Sequence, residues 1–214
     1  MALIQAYVDL HLHSNHSDGA DAPTEVVARA RKLGLAALAL TDHDTVSGVA
    51  EAEAAAAEAG IGFLSGVEIS AAFEGIEIHV TGLGMTIREE MLPHLLERLR
   101  TERNLRAERI VGRLQEAGIA ITHDMARAKA RGDAIGRMHL ALVLMDLGIT
   151  RTAQEGFDRF LNGGLPGWVP KAAVPIEEAI EAIHAAHGLA FLAHPGLSKN
   201  SYKRLEALLG FPFD

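Results

Sequence analysis

The feature that most constrains this chain is a repeated pattern in which short apolar runs stop at a histidine or a carboxylate and alternate with stretches of helical period. Ala6 to His13, Leu35 to Thr41, Ile61 to Ile69, Ile76 to Leu83 and Leu189 to His194 read as strands. A helix is expected from about Pro23 to Leu33, with proline near its start and Gly34 just past its end, where a left-handed cap favours glycine. A second is expected over Thr45 to Ala59, with Thr45 placed to cap it and Gly60 to close it. Alternating strands and helices predict a parallel sheet covered by helices, and an α/β barrel is one way to close such a sheet. From about Arg88 to Asn162 the pattern turns helical, with Gly118 to Thr122 as the one strand-like break, and another helix runs from about Pro175 to His187. The expected division is a barrel of residues 1–87 and 163–214 with a helical insertion at 88–162. With 214 residues, 49% of them hydrophobic, the chain can bury one substantial core.

The ends of the apolar runs carry the chemistry. Val8, Leu10 and Leu12 alternate with Asp9, His11 and His13, so on a strand both imidazoles leave the same face. Ser17-Asp18-Gly19 follows in a turn-like stretch that would bring Asp18 back over the strand end. Leu35 to Leu40 is nearly continuously apolar, as a strand covered on both faces should be, and it stops at Thr41-Asp42-His43-Asp44. The carboxyl ends of parallel strands are where α/β folds place their sites; Asp44 or Thr45 reads as a helix cap. Glu68 lies inside the apolar Gly66–Ser70 run, where an unpaired carboxylate is costly and a metal ion would offset the cost. His79 sits among Ile76, Ile78 and Val80, and His194 between Ala193 and Pro195. Any one of these alone reads as a hydrogen-bonded core histidine, but five strand ends each delivering His, Asp or Glu do not. Imidazole with carboxylate suits zinc, manganese or iron, and seven candidates exceed the ligand set of one catalytic zinc, so two or three divalent ions are implied.

Composition narrows the rest. The chain has no cysteine, which excludes disulfides and thiolate ligands and fits a reducing compartment. Met1 to Leu12 lacks a basic stretch leading into a long apolar run, and no uncharged apolar stretch reaches about 18 residues, so a soluble cytoplasmic protein is expected, with no membrane partner. A net charge of −8 opposes tight non-specific adhesion to long nucleic acids but leaves room for a small anionic substrate held by metals. Arg98, Arg100, Arg103, Arg106, Arg109 and Arg113 interleave with Glu97, Glu102 and Glu108, which predicts a solvated helix face with i±4 acidic partners.

Read in order, D-L-H-x-H-S-x-x-S-D-G at Asp9 to Gly19, T-D-H-D at Thr41 to Asp44, G-x-E-I-S at Gly66 to Ser70, I-H-V at Ile78 to Val80 and A-H-P-G at Ala193 to Gly196 resemble the polymerase-and-histidinol-phosphatase (PHP) family. The resemblance spans most of the chain. It implies a distorted seven-stranded β/α barrel with a trinuclear metal site. His11 and His13 would share one ion with Glu68 as the bridge, Glu68, His79 and His194 would hold a second, and Asp18 and His43 a third. The implied activity is hydrolysis of a phosphate ester by water that the ions activate, with no serine or cysteine nucleophile needed.

The chain is most similar to the bacterial branch that removes the 3′-phosphate from nucleoside 3′,5′-bisphosphates, which is related to enzymes that trim short RNAs from the 5′ end. That branch carries a G-R-x-H element in its helical insertion, here Gly136-Arg137-Met138-His139, followed by a segment like Gly167-Trp168-Val169-Pro170-Lys171. The resemblance implies that Arg137, His139 and Lys171 bind substrate, Arg137 by forking two phosphate oxygens. Asp42 is expected to support the metal ligands from behind. A histidinol-phosphate phosphatase on the same scaffold and a non-catalytic metal-binding module stand as alternatives. The family also carries a late G-S-D-x-H element whose Asp completes the first ion and whose His completes the third. The sequence through Asp214 does not contain it, which reads as a fragment, a short gene product or substitution by another segment. The corresponding expectation is uneven metal binding, weakest at Asp18 and His43, and an open sheet edge.

Overall fold

In the computed structural model residues 6–87, 91–196 and 202–214 are described. Met1 to Gln5 and Arg88, where the sequence pattern turns helical, lie outside them. In chain order the elements are β1 (Tyr7–Leu12), α1 (Pro23–Lys32), β2 (Leu35–Leu40), α2 (Val49–Ala59), β3 (Gly62–Phe73), β4 (Ile76–Leu83) and α3 (Met91–Glu116). There follow α4 (His123–Lys129), α5 (Arg137–Asp146), α6 (Ala153–Gly156), a π-helical turn (Phe157–Leu161), β5 (Val174–Pro175), α7 (Ile176–Ala185), β6 (Leu189–Leu192) and a short helix Leu205–Leu208. They form two compact units, Met1–Leu99 with Ala173–Asp214, and Arg100–Ala172. The sequence pattern set its division earlier at both junctions, at 87/88 and 162/163.

In the first unit six strands make one sheet of order β1-β2-β3-β4-β6, with β5 beside β3. β1, β2 and β3 are parallel, but β3–β4 and β4–β6 are antiparallel, so the sheet is mixed and curls into a half-barrel instead of being parallel throughout. The reason is local. Only Glu74 and Gly75 join β3 to β4, and two residues cannot carry a parallel crossover. Both have left-handed backbone, φ 46° and 76°, as a tight hairpin requires.

α1 follows the sequence pattern, and Gly34 turns the chain with φ 77°. α2 does not start where expected: Gly48 occupies its N-cap, and Thr45 is in a loop, where its hydroxyl donates to Ser47 Oγ. The side chain of Asp44 is committed elsewhere, as described below. One core cluster packs Val26, Val27, Leu38, Leu40 and Ala56 between α1, α2 and β2. Another joins Val67, Ile69 and Val80 of the sheet to Leu92, Leu95, Ile180 and Ile183. Each fully buried leucine or isoleucine there contributes about 1.5–3 kcal/mol, which is what holds the strand ends in register.

The second unit is helical, around Ile110, Leu114, Ile121, Leu140, Leu144 and Leu161. Gly118–Thr122 is a turn and not a strand; it ends as the N-cap of α4, with Thr122 Oγ1 accepting from Met125 N at 3.2 Å. The arginines of α3 also depart from the solvated face expected of them. Arg106 is buried and donates from Nε to the Val169 carbonyl at 2.9 Å, and Arg113 donates to the Pro166 carbonyl at 2.9 Å. They brace the extended segment that follows the π-helical turn. Among the described residues no helix is long and apolar enough to cross a membrane.

Candidate metal centre

The site is built around one carboxylate. Glu68 lies in the middle of β3, flanked by the buried Val67 and Ile69, and its side chain is 1% exposed. Five imidazoles surround it. His11 Nε2 is 3.0 Å, His13 Nε2 3.1 Å and His43 Nδ1 3.3 Å from Oε2; His79 Nδ1 is 2.8 Å and His194 Nε2 2.6 Å from Oε1. Asp18 stands at the rim, 3.6 Å from both His13 Nδ1 and His43 Nε2.

Each side chain arrives by a simple local device. β1 alternation puts His11 and His13 on one face. Gly19 lets the following loop fold back: a Cβ there would lie 2.4 Å from the His13 carbonyl oxygen, so only glycine brings Asp18 this close to the strand end. Gly66 serves the same purpose between β2 and β3, where a Cβ would meet the Leu40 carbonyl at 2.6 Å. In the β3–β4 hairpin Ser70 pairs with His79 and Glu68 with Thr81, so all four side chains share a face. His194 follows β6 with φ 29°, an uncommon backbone conformation for a residue before proline. Strain of this kind is found where surrounding structure over-determines a functional side chain.

The electrostatics match the geometry. Burial alone would raise the Glu68 carboxyl, but hydrogen bonds from His11, His13 and His79 and the nearby His43 hold it far below the usual carboxylate range. For His13, burial pulls the imidazole down, yet the hydrogen bond to Glu68 and the charges of Asp18, Glu68 and Asp42 outweigh it and leave it raised.

Among the described residues three sets have donor atoms that lie, within each set, no more than 4.8 Å from one another: His11, Glu68 and His194; His13, Asp18 and His43; His43, Glu68 and His79. The sets share His43 and Glu68, and His79 Nδ1, His194 Nε2 and Glu68 Oε1 also lie within 3.2 Å of one another, the grouping the resemblance implies for its second ion. The donor set fits first-row divalent ions. Ligands about 2.0–2.2 Å from a common tetrahedral ion stand roughly 3.3–3.6 Å apart, and the donors around Glu68, at 2.6–3.3 Å from its oxygens, would reach such an ion with small outward shifts.

Behind the ligands, Asp42 is buried and accepts from Ser14 N at 2.7 Å, Ser14 Oγ at 2.6 Å and Ser17 Oγ at 2.6 Å. It ties the loop that follows His13 to the end of β2. Sequence reasoning did not single out Ser14, Ser17 or Thr81. Thr81 faces Glu68 across the hairpin, with its hydroxyl buried and without a hydrogen-bond partner among the described residues. The serines had a readable signal, since each stands beside a ligand motif.

The residues expected to bind substrate lie in the second unit. Arg137 opens α5 half-buried, its guanidinium carbon 5.5 Å from the centre of the Phe157 ring in the π-helical turn. His139 is buried, and its Nδ1 accepts from Gly136 N at 3.0 Å, which leaves the proton on Nε2. Lys171 is half-buried in the extended segment that Arg106 and Arg113 brace.

Residues 9–162 match the PHP domain. The chain belongs to the PHP family. Among curated proteins this PHP chain is 43% identical over 187 residues to a 5′-3′ exoribonuclease of Haemophilus influenzae, covering 87% of this chain and 68% of that protein. It is also 43% identical over 192 residues to a 3′,5′-nucleoside bisphosphate phosphatase of Chromobacterium violaceum, covering 89% of this chain and 67% of the relative. A solved structure of an amidohydrolase from Chromobacterium violaceum, with bound sulfate and no metal, superposes with a TM-score of 0.88 at 40% identity, over 96% of this chain and 74% of that one. The PHP chain thus spans about two thirds of those curated relatives, and it is a hydrolase of phosphate esters.

Proposed function

We propose that the protein hydrolyses a phosphate monoester of a small nucleotide, the 3′-phosphate of nucleoside 3′,5′-bisphosphates, with two or three divalent ions held by His11, His13, Asp18, His43, Glu68, His79 and His194. The observation that carries this reading is the buried Glu68 carboxylate with five imidazoles around it, a donor cluster for which a folded protein has little purpose without metal. When bound, such ions lower the pKa of a water and neutralise phosphoryl oxygens, so that in-line attack needs no protein nucleophile.

The chain's own residues do the positioning. Glu68 turns both carboxylate oxygens toward the five imidazoles and would hold ions together with them. Asp42 fixes the loop carrying His13 and Asp18. Arg137, with its guanidinium beside the Phe157 ring, would take two phosphate oxygens, and His139 stands at the same helix start. Lys171 adds a point charge for a phosphate. The substrate class rests on the similarity to a bisphosphate phosphatase; the similarity to an exoribonuclease supports a second reading, release of nucleotides from short RNA at the same centre.

One preparation tests the reading. Elemental analysis should find at least about one equivalent of manganese, zinc or iron, and turnover should be greatest on a nucleoside 3′,5′-bisphosphate within a panel that includes short RNA and histidinol phosphate. Less than about a tenth of an equivalent of any such metal would sink the metal centre. Metal without turnover would return the non-catalytic module, and a preference for histidinol phosphate would replace the substrate.

A further inference from the structure

Asp44 closes the T-D-H-D motif; it belongs to none of the three donor sets, and Gly48 stands at the N-cap of α2. Residues 42–44 run beside β3 as a short parallel bridge in which Glu68 N donates to the Asp42 carbonyl at 3.2 Å and Asp44 N donates to the Glu68 carbonyl at 3.0 Å. The next rung of a parallel ladder would run from Ser70 N to the Asp44 carbonyl. It is made differently. The backbone of Asp44 turns left-handed, φ 55°, and its side chain supplies the acceptor: Ser70 N donates to Oδ1 at 2.7 Å and Ser70 Oγ to Oδ2 at 2.6 Å. Asp44 and Ser70 are both buried.

A side chain that stands in for its own carbonyl lets the chain leave the sheet one residue after His43 without losing the rung that fixes the register of His43 against Glu68. Ser70 is in turn the direct cross-strand partner of His79. One aspartate–serine contact therefore holds the relative positions of His43, Glu68 and His79, which form one of the three donor sets. Aspartate suits the position on two counts: short polar side chains tolerate left-handed backbone, and only a carboxylate offers two acceptors to a backbone N–H and a hydroxyl together.

We propose that Asp44, anchored on Ser70, is a positioning residue that sets the geometry of the His43–Glu68–His79 donor set without itself binding an ion. The proposal rests on the reading of that cluster as a metal centre. The test is calorimetric titration of chelator-treated protein with Mn²⁺, alongside its thermal unfolding without metal. Asp44→Ala should weaken Mn²⁺ binding about tenfold or more, in the range found when residues that orient metal ligands are removed. Asp44→Asn, which keeps the left-handed preference and one acceptor, and Ser70→Ala, which removes one of the two contacts, should weaken it by smaller factors in the same direction. These milder variants carry the test if Asp44→Ala does not fold. Wild-type stoichiometry and affinity in both, whatever happens to thermal stability, would overturn the proposal. Failure of the wild-type protein to bind Mn²⁺ at all would instead count against the metal centre.

Discussion

The two units hold their chemical groups by different means. In the strand-built unit His11, Glu68 and His79 lie on strands and His13 and His194 follow strand ends, so ladder hydrogen bonds fix their spacing and the core behind them fixes their direction. In the helical unit Arg137 and His139 sit on one turn of α5 and Lys171 on an extended stretch, and the fixing is done by side chains. Phe157 lies against Arg137, Arg106 and Arg113 reach carbonyls of the 166–169 segment, and Asn104 Oδ1 accepts from Ile135 N at 2.9 Å. Backbone ladders are cooperative and change register only as a whole, whereas single side-chain contacts can be altered one at a time. A change at the centre of the metal cluster should therefore be felt by all of its ligands, and a change at one expected substrate residue by that residue's contacts alone.

The largest effect should come from the centre of the cluster. Glu68→Gln keeps the shape but removes the charge and one of the two oxygens that the five imidazoles share between them. Since removing a residue that merely orients a ligand costs metalloproteins about 10–100-fold, removing this one should lower phosphatase turnover by at least about a hundredfold and strip most metal from the purified protein. Near-normal metal content in the variant would mean that the histidines bind ions without Glu68.

A smaller effect, confined to the other unit, should follow from Arg137→Ala. Loss of a forked, charged contact to phosphate should reduce kcat/KM by about tenfold or more while metal content stays at the wild-type level. The two variants together break the comparison if Arg137→Ala also loses metal, because the helical unit would then be supporting the cluster. An unchanged kcat/KM would assign Arg137 to packing on Phe157 alone.

The same contrast governs what could be read from the sequence. Period-two alternation exposes His11 and His13, and a carboxylate within an apolar run exposes Glu68, because burial of charge is visible in one dimension. The mixed sheet was not visible for a definite reason. Ser70 to Phe73 carries a weak apolar signal, so the third strand reads as ending at Ile69, and the two-residue hairpin at Glu74-Gly75 looks like a longer connection. Thr45 reads as a helix cap because nothing local reveals that Asp44 is engaged by Ser70, 26 residues away. The arginines of α3 read as a solvated face because helical spacing identifies i±4 neighbours and cannot identify a carbonyl 63 residues on, which is where Arg106 finds its acceptor. Arg137, His139 and Lys171 carry no periodic signal at all; only the resemblance pointed to them.

The smallest expected effect uses acid to compare the units through two exposed carboxylates. In the helical unit Glu155 is held below its ordinary value by the backbone N–H of Arg151, 2.8 Å from Oε2, and then by Arg159, 2.6 Å from Oε1. In the strand unit Asp214 is held low by the backbone N–H of Ala190 and then by His184 Nε2, each 2.9 Å from Oδ2. A carboxylate whose folded pKa is depressed contributes stability that is present above its unfolded value and is lost as pH falls through the folded one. The loss should begin near 4.5 for Glu155 and near 3.8 for Asp214, and extend below those values. Glu155→Gln and Asp214→Asn should therefore each unfold at a lower temperature than wild type at about pH 7, with the deficit shrinking as the pH falls below those values, from a higher pH for Glu155→Gln. Thermal unfolding followed by circular dichroism at a series of pH values measures both. If the units melt separately, each substitution shifts a different transition; if they melt together, both shift the same one. A deficit that persists unchanged through the acid range would mean that these contacts stabilise by shape and not by charge, since the neutral amides would then lack something that protonation does not remove.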